Sequence, residues 1–151
     1  HIQKAEKLTA HIKSIVSGIQ SRISGKNTPS VYWEIWNSPY MSAGSTSFMN
    51  GLIKAAGGAN VFSDITQAYP LVSEETIIAR KPDVIIIPDM ENESLVSIHA
   101  RPGWKIIPAV HNKRVYFVNA DLTARPGPRI GEAVLQLAKS IHPDISFEGI
   151  E

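Results

Sequence analysis

The sequence predicts an α/β fold: a three-layer, Rossmann-like sandwich with a mostly parallel sheet, preceded by one long helix. Strand-like and helix-like patterns alternate after residue 29, which is typical of a sheet with helices on both faces. Residues 83–88 are almost continuously apolar, as in a parallel strand that is covered on both sides. An amphipathic pattern before residue 25 predicts the long helix.

The long helix is predicted over residues 2–24, because its apolar side chains recur at steps of three and four. They form one stripe: Ile2, Ala5, Leu8, Ile12, Ile15, Val16, Ile19 and Ile23. Gly25 supplies a stop signal, and a loop follows to Pro29. A helix of this length extends about 33 Å, which suits either a terminal helix packed on its own core or a strut to another domain.

Strands are predicted where β-branched and aromatic residues or apolar runs occur between turn signals. The three predicted strands are 31–36, 83–88 and 114–119. The first of them reads Val-Tyr-Trp-Glu-Ile-Trp.

Shorter helices are predicted from apolar stripes and from their end signals, over 45–56, 73–81, 91–100 and 128–141. The pair Gly57-Gly58 ends the first of these, since glycine tolerates the left-handed conformation at a helix exit. Ser73 is predicted to cap the second, where the helix dipole favours the acids at 74 and 75. Pro128 lies in the first turn of the last helix.

Composition excludes several classes of protein. The 151 residues suit one domain, which typically has about 100–150. Fifteen basic and 14 acidic residues give a net charge of +1, without the positive charge expected of a nucleic-acid binder. No cysteine is present, which excludes disulfides, thiolate metal sites and cysteine nucleophiles. The longest apolar run, 84–87, is far too short to cross a bilayer.

The usual signatures of catalysis and cofactor binding are missing from the sequence. It contains no phosphate-binding loop, dinucleotide-binding loop or nucleophile elbow. Its five histidines are scattered, and none pairs with another at metal-ligand spacing. The sequence therefore predicts no catalytic residue, no metal site and no cofactor.

The loop 37–47 is one of three that attract attention, because it follows a strand and opens a helix. Ligands of open α/β sheets bind outside the carboxyl ends of the strands. Free backbone N–H groups at Gly44–Ser47 could hold an anion there. The competing interpretation is plain helix capping by Ser45 or Thr46, with Tyr40 and Met41 as packing residues.

The other two loops are 68–75 and 119–129. Tyr69, beside a proline and ahead of a helix, is a plausible aromatic contact. Glu75 and its neighbour at 74 either stabilise the helix start or face a partner. Asp121 and Arg125 form either a surface ion pair or a pair of side chains that line a cleft.

At these loops the sequence resembles the C-terminal lobe of class III substrate-binding proteins of ABC importers, the iron–siderophore, haem and cobalamin group. The resemblance extends in order over nearly the whole chain. It is carried by 32–36, 44–53, 56–62, 72–75, 79–86 and 125–130. The most specific part is Ala-Gly-Gly-Ala-Asn-Val-Phe at 56–62 together with the pattern at 73–86 that begins Ser-Glu-Glu-Thr-Ile and ends Pro-Asp-Val-Ile-Ile.

The resemblance implies a domain organisation. Members of this group have two α/β lobes joined by one rigid helix. Residues 1–25 would be that interlobe linker helix, and 29–151 would be the C-terminal lobe. The N-terminal lobe would be absent from this sequence.

The resemblance also implies roles for individual residues. Glu75 matches the glutamate that docks onto arginines of the membrane permease. Tyr69 matches an aromatic residue that contacts ligand in the cobalamin-binding relative, while Asp121 and Arg125 match residues of the same cleft. Tyr40 or Tyr69 could ligate iron, as a tyrosine does in haem-binding members.

These implications predict a non-enzymatic component of an ABC importer, located in the periplasm or anchored at the cell surface. Its partners would be a metal chelate (iron–siderophore, haem or cobalamin) and the importer permease. Two other hypotheses are kept. One is an α/β enzyme domain that binds a phosphate-bearing substrate at Gly44–Ser47, and the other is an interaction module that forms homodimers through an exposed apolar face of Ile2–Ile23.

Overall fold

The structure is a computed structural model that describes residues 2–89, 94–119 and 129–150, with side chains from residue 10 onward. Its helices are α1 (Ile2–Ile23), α2 (Phe48–Ala55), α3 (Glu74–Arg80), α4 (Leu95–His99), α5 (Pro108–His111) and α6 (Ile130–Ile141), and Trp104–Ile106 forms a 3-10 turn. Its strands are β1 (Ser30–Trp33), β2 (Trp36–Asn37), β3 (Tyr40–Met41), β4 (Ala59–Asn60), β5 (Val84–Pro88) and β6 (Val115–Val118).

The central sheet has the strand order β4–β1–β5–β6, and all of its pairs are parallel. β2 and β3 form a separate antiparallel hairpin. The alternation of strands and helices along the chain therefore produces the predicted α/β fold with a parallel sheet.

Two apolar cores cover the two faces of this sheet. Successive residues of a strand point to opposite faces, so Val84 and Ile86 join one core while Ile85 and Ile87 join the other. The first core contains buried residues of α1, α2 and α6. The second contains buried residues of α3, α4, α5 and the 3-10 turn. This arrangement confirms the predicted three layers.

The long helix α1 packs on the lobe itself. Ile15 and Ile19 are buried in the first core, and Arg22 donates to the carbonyls of Ser146 and Glu148 at 2.9 and 2.8 Å. The homodimer hypothesis assumed that the apolar stripe of this helix is exposed. Over its described side chains the centre of the stripe is covered instead, because it packs against α6 and α2.

The predicted end of the first strand and the predicted start of the helix after it were wrong. The first strand ends at Trp33 rather than at residue 36, because Ile35 N–H donates to the Met41 carbonyl at 2.8 Å and turns the chain into the hairpin. The helix predicted from residue 45 begins at Phe48, since Ser47 Oγ accepts from Asn50 N–H at 3.1 Å. Ser47, and not Ser45 or Thr46, is therefore the cap.

Other boundaries agree more closely. Ser73 caps α3 as predicted, accepting from Thr76 N–H at 3.1 Å. The two-residue strand β4 is not predicted by any sequence pattern. The helix predicted over 91–100 begins only at Leu95, because Ser94 is its cap. Residues 91–93, and Pro128 at the start of the last predicted helix, lie outside the described residues.

Candidate functional site

The carboxyl edge of the sheet gathers two of the loops that the sequence singled out, 37–47 and 68–75, while most of 119–129 lies outside the described residues. Because the strands are parallel, β1, β5 and β6 all end at this edge. The hairpin of β2 and β3 follows β1 there. The segment 65–72 runs beside it and is held by the bond from Val72 N–H to the Tyr40 carbonyl (3.0 Å) and from Ser42 N–H to the Pro70 carbonyl (3.1 Å).

Three of the four backbone amides proposed for anion binding, those of Gly44, Ser45 and Ser47, donate to carbonyls of the protein itself. Gly44 N–H donates to the Ala68 carbonyl at 2.9 Å, and Ser45 N–H donates to the Ile65 carbonyl at 2.8 Å. Ser47 N–H donates back to the Gly44 carbonyl. The enzyme hypothesis depended on these groups being free for a phosphate, so the structure does not support it.

An exposed apolar patch lies on the outer face of the hairpin. Trp36 is directly opposite Met41, and Met41 forms a bridge with Leu71, so their side chains share one face. Trp36 is 46% exposed, Tyr69 46% and Leu71 64%. We refer to Trp36, Met41, Tyr69 and Leu71 as the exposed apolar patch, and an exposed apolar surface of this kind is a candidate interaction site.

Tyr40 lies on the inner face of the same hairpin. Its ring stacks on Trp104 with the ring centroids 5.7 Å apart and the planes at 28°. Burial, followed by a hydrogen bond with the Glu74 carboxylate, raises the pKa of Tyr40. The two tyrosines that the sequence treated alike therefore differ, since Tyr40 faces the second core and Tyr69 faces outward.

A buried ion pair lies beneath the hairpin, and sequence reasoning missed it. Arg101 donates to both carboxylate oxygens of Glu34, at 2.7 and 3.0 Å, and Glu34 is only 2% exposed. The Tyr32 hydroxyl donates to the same carboxylate at 3.2 Å. The guanidinium also lies 4.5 Å from the ring centroid of Trp104 and 5.5 Å from that of Tyr40.

One sequence signal could have indicated this pair. Glu34 lies inside an apolar and aromatic run, where a buried carboxylate requires a charged partner. The partner is 67 residues away in the chain, so the sequence does not reveal which residue it is.

Tyr32 makes the stability of the protein sensitive to high pH. Burial first, and then the negative charge of Glu34, raise the pKa of Tyr32 above its usual value of 10.0. The folded state thus favours the neutral phenol, and this contribution to stability is complete below pH ~10 and is lost as the pH rises further. We expect the free energy of unfolding, measured by urea titration, to fall less steeply above pH 10 in Tyr32→Phe than in the wild type. Equal slopes would contradict this.

The two acids at the start of α3 have different surroundings. Glu74 is partly buried and bonds with Tyr40, whereas Glu75 is exposed. In the described ranges no hydrogen bond or ion pair engages the Glu75 side chain. Of the other predicted site residues, Asp121 and Arg125 lie outside the described part of the chain.

A cleft of about 530 Å³ lies at the opposite, amino edge of the sheet, lined in part by Lys26, Arg114 and His142. Arg114 donates to the Ile141 carbonyl at 2.6 Å, and His142 Nε2 lies 3.0 Å from the Gly57 carbonyl. These polar groups bind the ends of α6 and α2, so the cleft is mainly structural. Within the described ranges, no three acidic or histidine side chains cluster as a metal ion requires, and no helix is long and apolar enough to span a membrane.

Comparison with known proteins supplies the family. The model of the periplasmic binding protein family matches residues 1–122. The chain is 34% identical over 146 residues to an uncharacterized ABC transporter substrate-binding lipoprotein of Bacillus subtilis, covering 94% of this chain and 46% of that protein. It is 29% identical over 150 residues to a cobalamin-binding protein of Halobacterium salinarum, covering 91% of this chain and 39% of that protein.

A solved structure agrees with these relatives. A possible iron-binding (periplasmic solute-binding) protein from Staphylococcus epidermidis superposes with a TM-score of 0.80 at 32% identity, covering 93% of this chain and 55% of that one. The chain thus spans about half the length of the relatives it matches. Since the family model matches most of the chain and the fold is shared, the chain belongs to the periplasmic binding protein family.

Proposed function

We propose that the protein is the extracytoplasmic substrate-binding component of an ABC importer, and that it captures a metal chelate without chemical change. The observation that carries this proposal is the exposed apolar patch at the carboxyl edge of the sheet, together with the exposed Glu75 in the first turn of α3. The first surface suits a ligand and the second suits a basic partner. The names of the relatives, which include an ABC transporter substrate-binding lipoprotein, support the same function.

The domain organisation we propose follows from the share of each relative that is matched. The chain aligns with 46% of the Bacillus protein and 55% of the Staphylococcus structure. Residues 1–25 would act as the helix between two lobes, and 29–151 as the C-terminal lobe. The other lobe would then supply the opposite wall of the cleft.

The ligand class we propose is a large, partly flat metal chelate: a corrinoid, haem or an iron–siderophore. Aromatic side chains such as Trp36 and Tyr69 favour stacking on flat ligands. Asp121 and Arg125 follow β6, which ends at the same edge, and a guanidinium fork suits the amides or carboxylates at the rim of such a ligand. Tyr40 faces the second core through its ring, so of the two tyrosines Tyr69 is the better candidate for direct contact.

Trp36→Ala in the full-length protein tests the ligand surface. We expect about tenfold weaker binding of whichever of cyanocobalamin, haemin and a ferric siderophore the wild type binds, because one stacked aromatic contact is lost. The measurement is titration calorimetry with each of the three chelates. Ile106→Ala is the control, since Ile106 is also a large exposed apolar residue, 69% exposed, but does not belong to the patch. Unchanged affinity in Trp36→Ala would remove the patch from the binding site.

Glu75→Arg tests docking onto the permease. Reversing this exposed charge places like charges together at the interface, and we expect transporter-stimulated ATP hydrolysis in proteoliposomes to fall about tenfold. Ligand affinity should stay unchanged. The control is Asp144→Arg, the same kind of charge reversal at an exposed site beside the amino-edge cleft. If Glu75→Arg stimulates hydrolysis as well as the control does, Glu75 has no docking role.

A further inference from the structure

Arg101 connects two parts of the molecule that are distant in the chain. It donates two hydrogen bonds, at 2.7 and 3.0 Å, to the carboxylate of Glu34, the residue that directly follows β1. Its guanidinium carbon also lies over the rings of Trp104 and Tyr40, at 4.5 and 5.5 Å from their centroids. One side chain thus contacts both the end of β1 and the hairpin that follows it.

The hairpin in turn is joined to the start of α3. The Tyr40 carbonyl accepts from Val72 N–H at 3.0 Å, and the Tyr40 and Val72 side chains pack in the same core. Ser73 follows directly and caps α3, and Glu75 lies in the first turn of that helix. A displacement of Tyr40 therefore shifts the backbone from which Glu75 projects.

The outer face of the same hairpin carries the exposed apolar patch. Residues alternate in β3 and its neighbouring segment, so Tyr40 and Val72 face the core where Met41 and Leu71 face outward. The inner contacts with Arg101 thereby set the position of the outer residues.

We propose that Arg101 is a positioning residue that holds the hairpin and the start of α3 in a single arrangement, so that the apolar patch and Glu75 are presented together. This rests on the proposed function and adds to it how the ligand surface and the docking surface are coupled. Arg101 itself contacts neither ligand nor permease in this proposal. It acts through Glu34 and Tyr40.

The geometry requires arginine at this position. A planar guanidinium can donate two parallel bonds to one carboxylate while its face lies against aromatic rings. A lysine keeps the positive charge, but its ammonium group offers neither the fork nor the flat face. Arg101→Lys thus removes the positioning geometry and keeps the charge that the buried Glu34 requires.

Arg80 offers a matched control. It makes the same kind of bidentate pair, with Asp64 at 2.7 and 3.1 Å, and lies 4.8 Å from the ring centroid of Phe62. This pair is more exposed and does not involve the hairpin. Arg80→Lys removes an arginine fork and a cation–aromatic contact without touching Glu34 or Tyr40.

The test compares amide hydrogen exchange in the full-length wild type, Arg101→Lys and Arg80→Lys. The reporting amides are Ile35, bonded to the Met41 carbonyl, and Val72, bonded to the Tyr40 carbonyl. Ile85, in the centre of the sheet, reports global opening. In Arg101→Lys we expect exchange at Ile35 and Val72 to accelerate about tenfold more than at Ile85, because the hairpin opens locally. In Arg80→Lys, exchange at Ile35 and at Val72, each relative to exchange at Ile85, should stay as in the wild type.

Equal acceleration at all three amides in Arg101→Lys would overturn the proposal, since Arg101 would then contribute only to global stability. If that variant does not fold, Glu34→Gln replaces it, because the neutral amide keeps the shape of the side chain and weakens its ion pair with Arg101. Amide exchange at Ile35, Val72 and Ile85 is then compared in that variant by the same criterion.

A functional arm tests the coupling in the same variant, with the chelate that the wild type binds among cyanocobalamin, haemin and a ferric siderophore. Ligand affinity and transporter-stimulated ATP hydrolysis should both fall at least about threefold. Local opening with both activities unchanged would overturn the coupling. Should the wild type bind none of the chelates, the proposed function fails, and the exchange measurement still decides the positioning role by itself.

Discussion

Replacing Gly44 with alanine is expected to destabilise the protein by about 3 kcal/mol, near the upper end for overpacking of a buried site. A Cβ atom at this position would overlap the carbonyl oxygen of Gln67 and lie 2.7 Å from that of Ile65. Both are backbone atoms, so no flexible side chain can give way. The loop 65–72 must move away from the hairpin. The free energy of unfolding by urea measures the effect.

Gly51→Ala is the control for this substitution. Gly51 is exposed inside α2, and a Cβ atom there meets nothing within 4 Å. Alanine is a better helix former than glycine, so this variant should be more stable by about 0.5–1 kcal/mol. A Gly44→Ala protein as stable as the wild type would show that the two loops are not packed as closely as the structure has them.

Replacing Asn60 with alanine is expected to cost about 3 kcal/mol, because three buried polar groups lose their partner at once. Asn60 Nδ2 donates to the Ala43 carbonyl at 2.7 Å and to Asn50 Oδ1 at 3.0 Å, and Asn60 Oδ1 accepts from Phe62 N–H at 3.0 Å. The measurement is again unfolding by urea.

Asn27→Ala is the matched control, since Asn27 lies in an exposed loop after α1 and should change stability by less than about 0.5 kcal/mol. If Asn60→Ala costs no more than this control, the buried amide network contributes nothing to stability. A large loss would also explain the role of Asn60 in the Ala-Gly-Gly-Ala-Asn-Val-Phe stretch. The amide joins β4 to α2 and to the loop before it.

The two structural predictions concern the same region as the proposed site. Gly44 allows the segment 65–72 to approach the hairpin, and Asn60 holds the loop that contains Ala43. The exposed apolar patch spans this junction, with Trp36 and Met41 on one side and Leu71 on the other. A ligand surface assembled from two segments depends on the packing that joins them. Loss of either anchor should therefore weaken ligand binding as well as stability.

Much of the fold was predictable because its signals are local. Neighbouring residues alone indicate the amphipathic stripe of α1, the apolar run of β5 and the cap at Ser73. The wrong boundaries have different causes: the start of α2 depends on the local cap at Ser47, whereas the end of β1 depends on a contact with β3. Trp36 is as good a strand former as Trp33, and only the long-range bond between Ile35 and Met41 shows that β1 has already ended.

The loops of the candidate site were predictable from the sequence, but the orientation of their side chains was not. The sequence placed Tyr40 and Tyr69 together as ligand contacts, and Glu75 as a docking residue through a resemblance. Pairing of the hairpin turns the Tyr40 ring toward Trp104 and leaves Tyr69 exposed. The roles of Tyr69 and Glu75 remain predictions, as do those of Asp121 and Arg125.

By itself the sequence determined the fold class and the order of most helices and strands, since periodicity and capping act between near neighbours. Only the tertiary structure decided which residues meet there. Arg101 and Glu34 are 67 positions apart, and their pairing depends on how α4 and the 3-10 turn pack over β1. A carboxylate in an apolar stretch of sequence indicates that it has a charged partner, but only the packing of the folded chain decides which arginine that is.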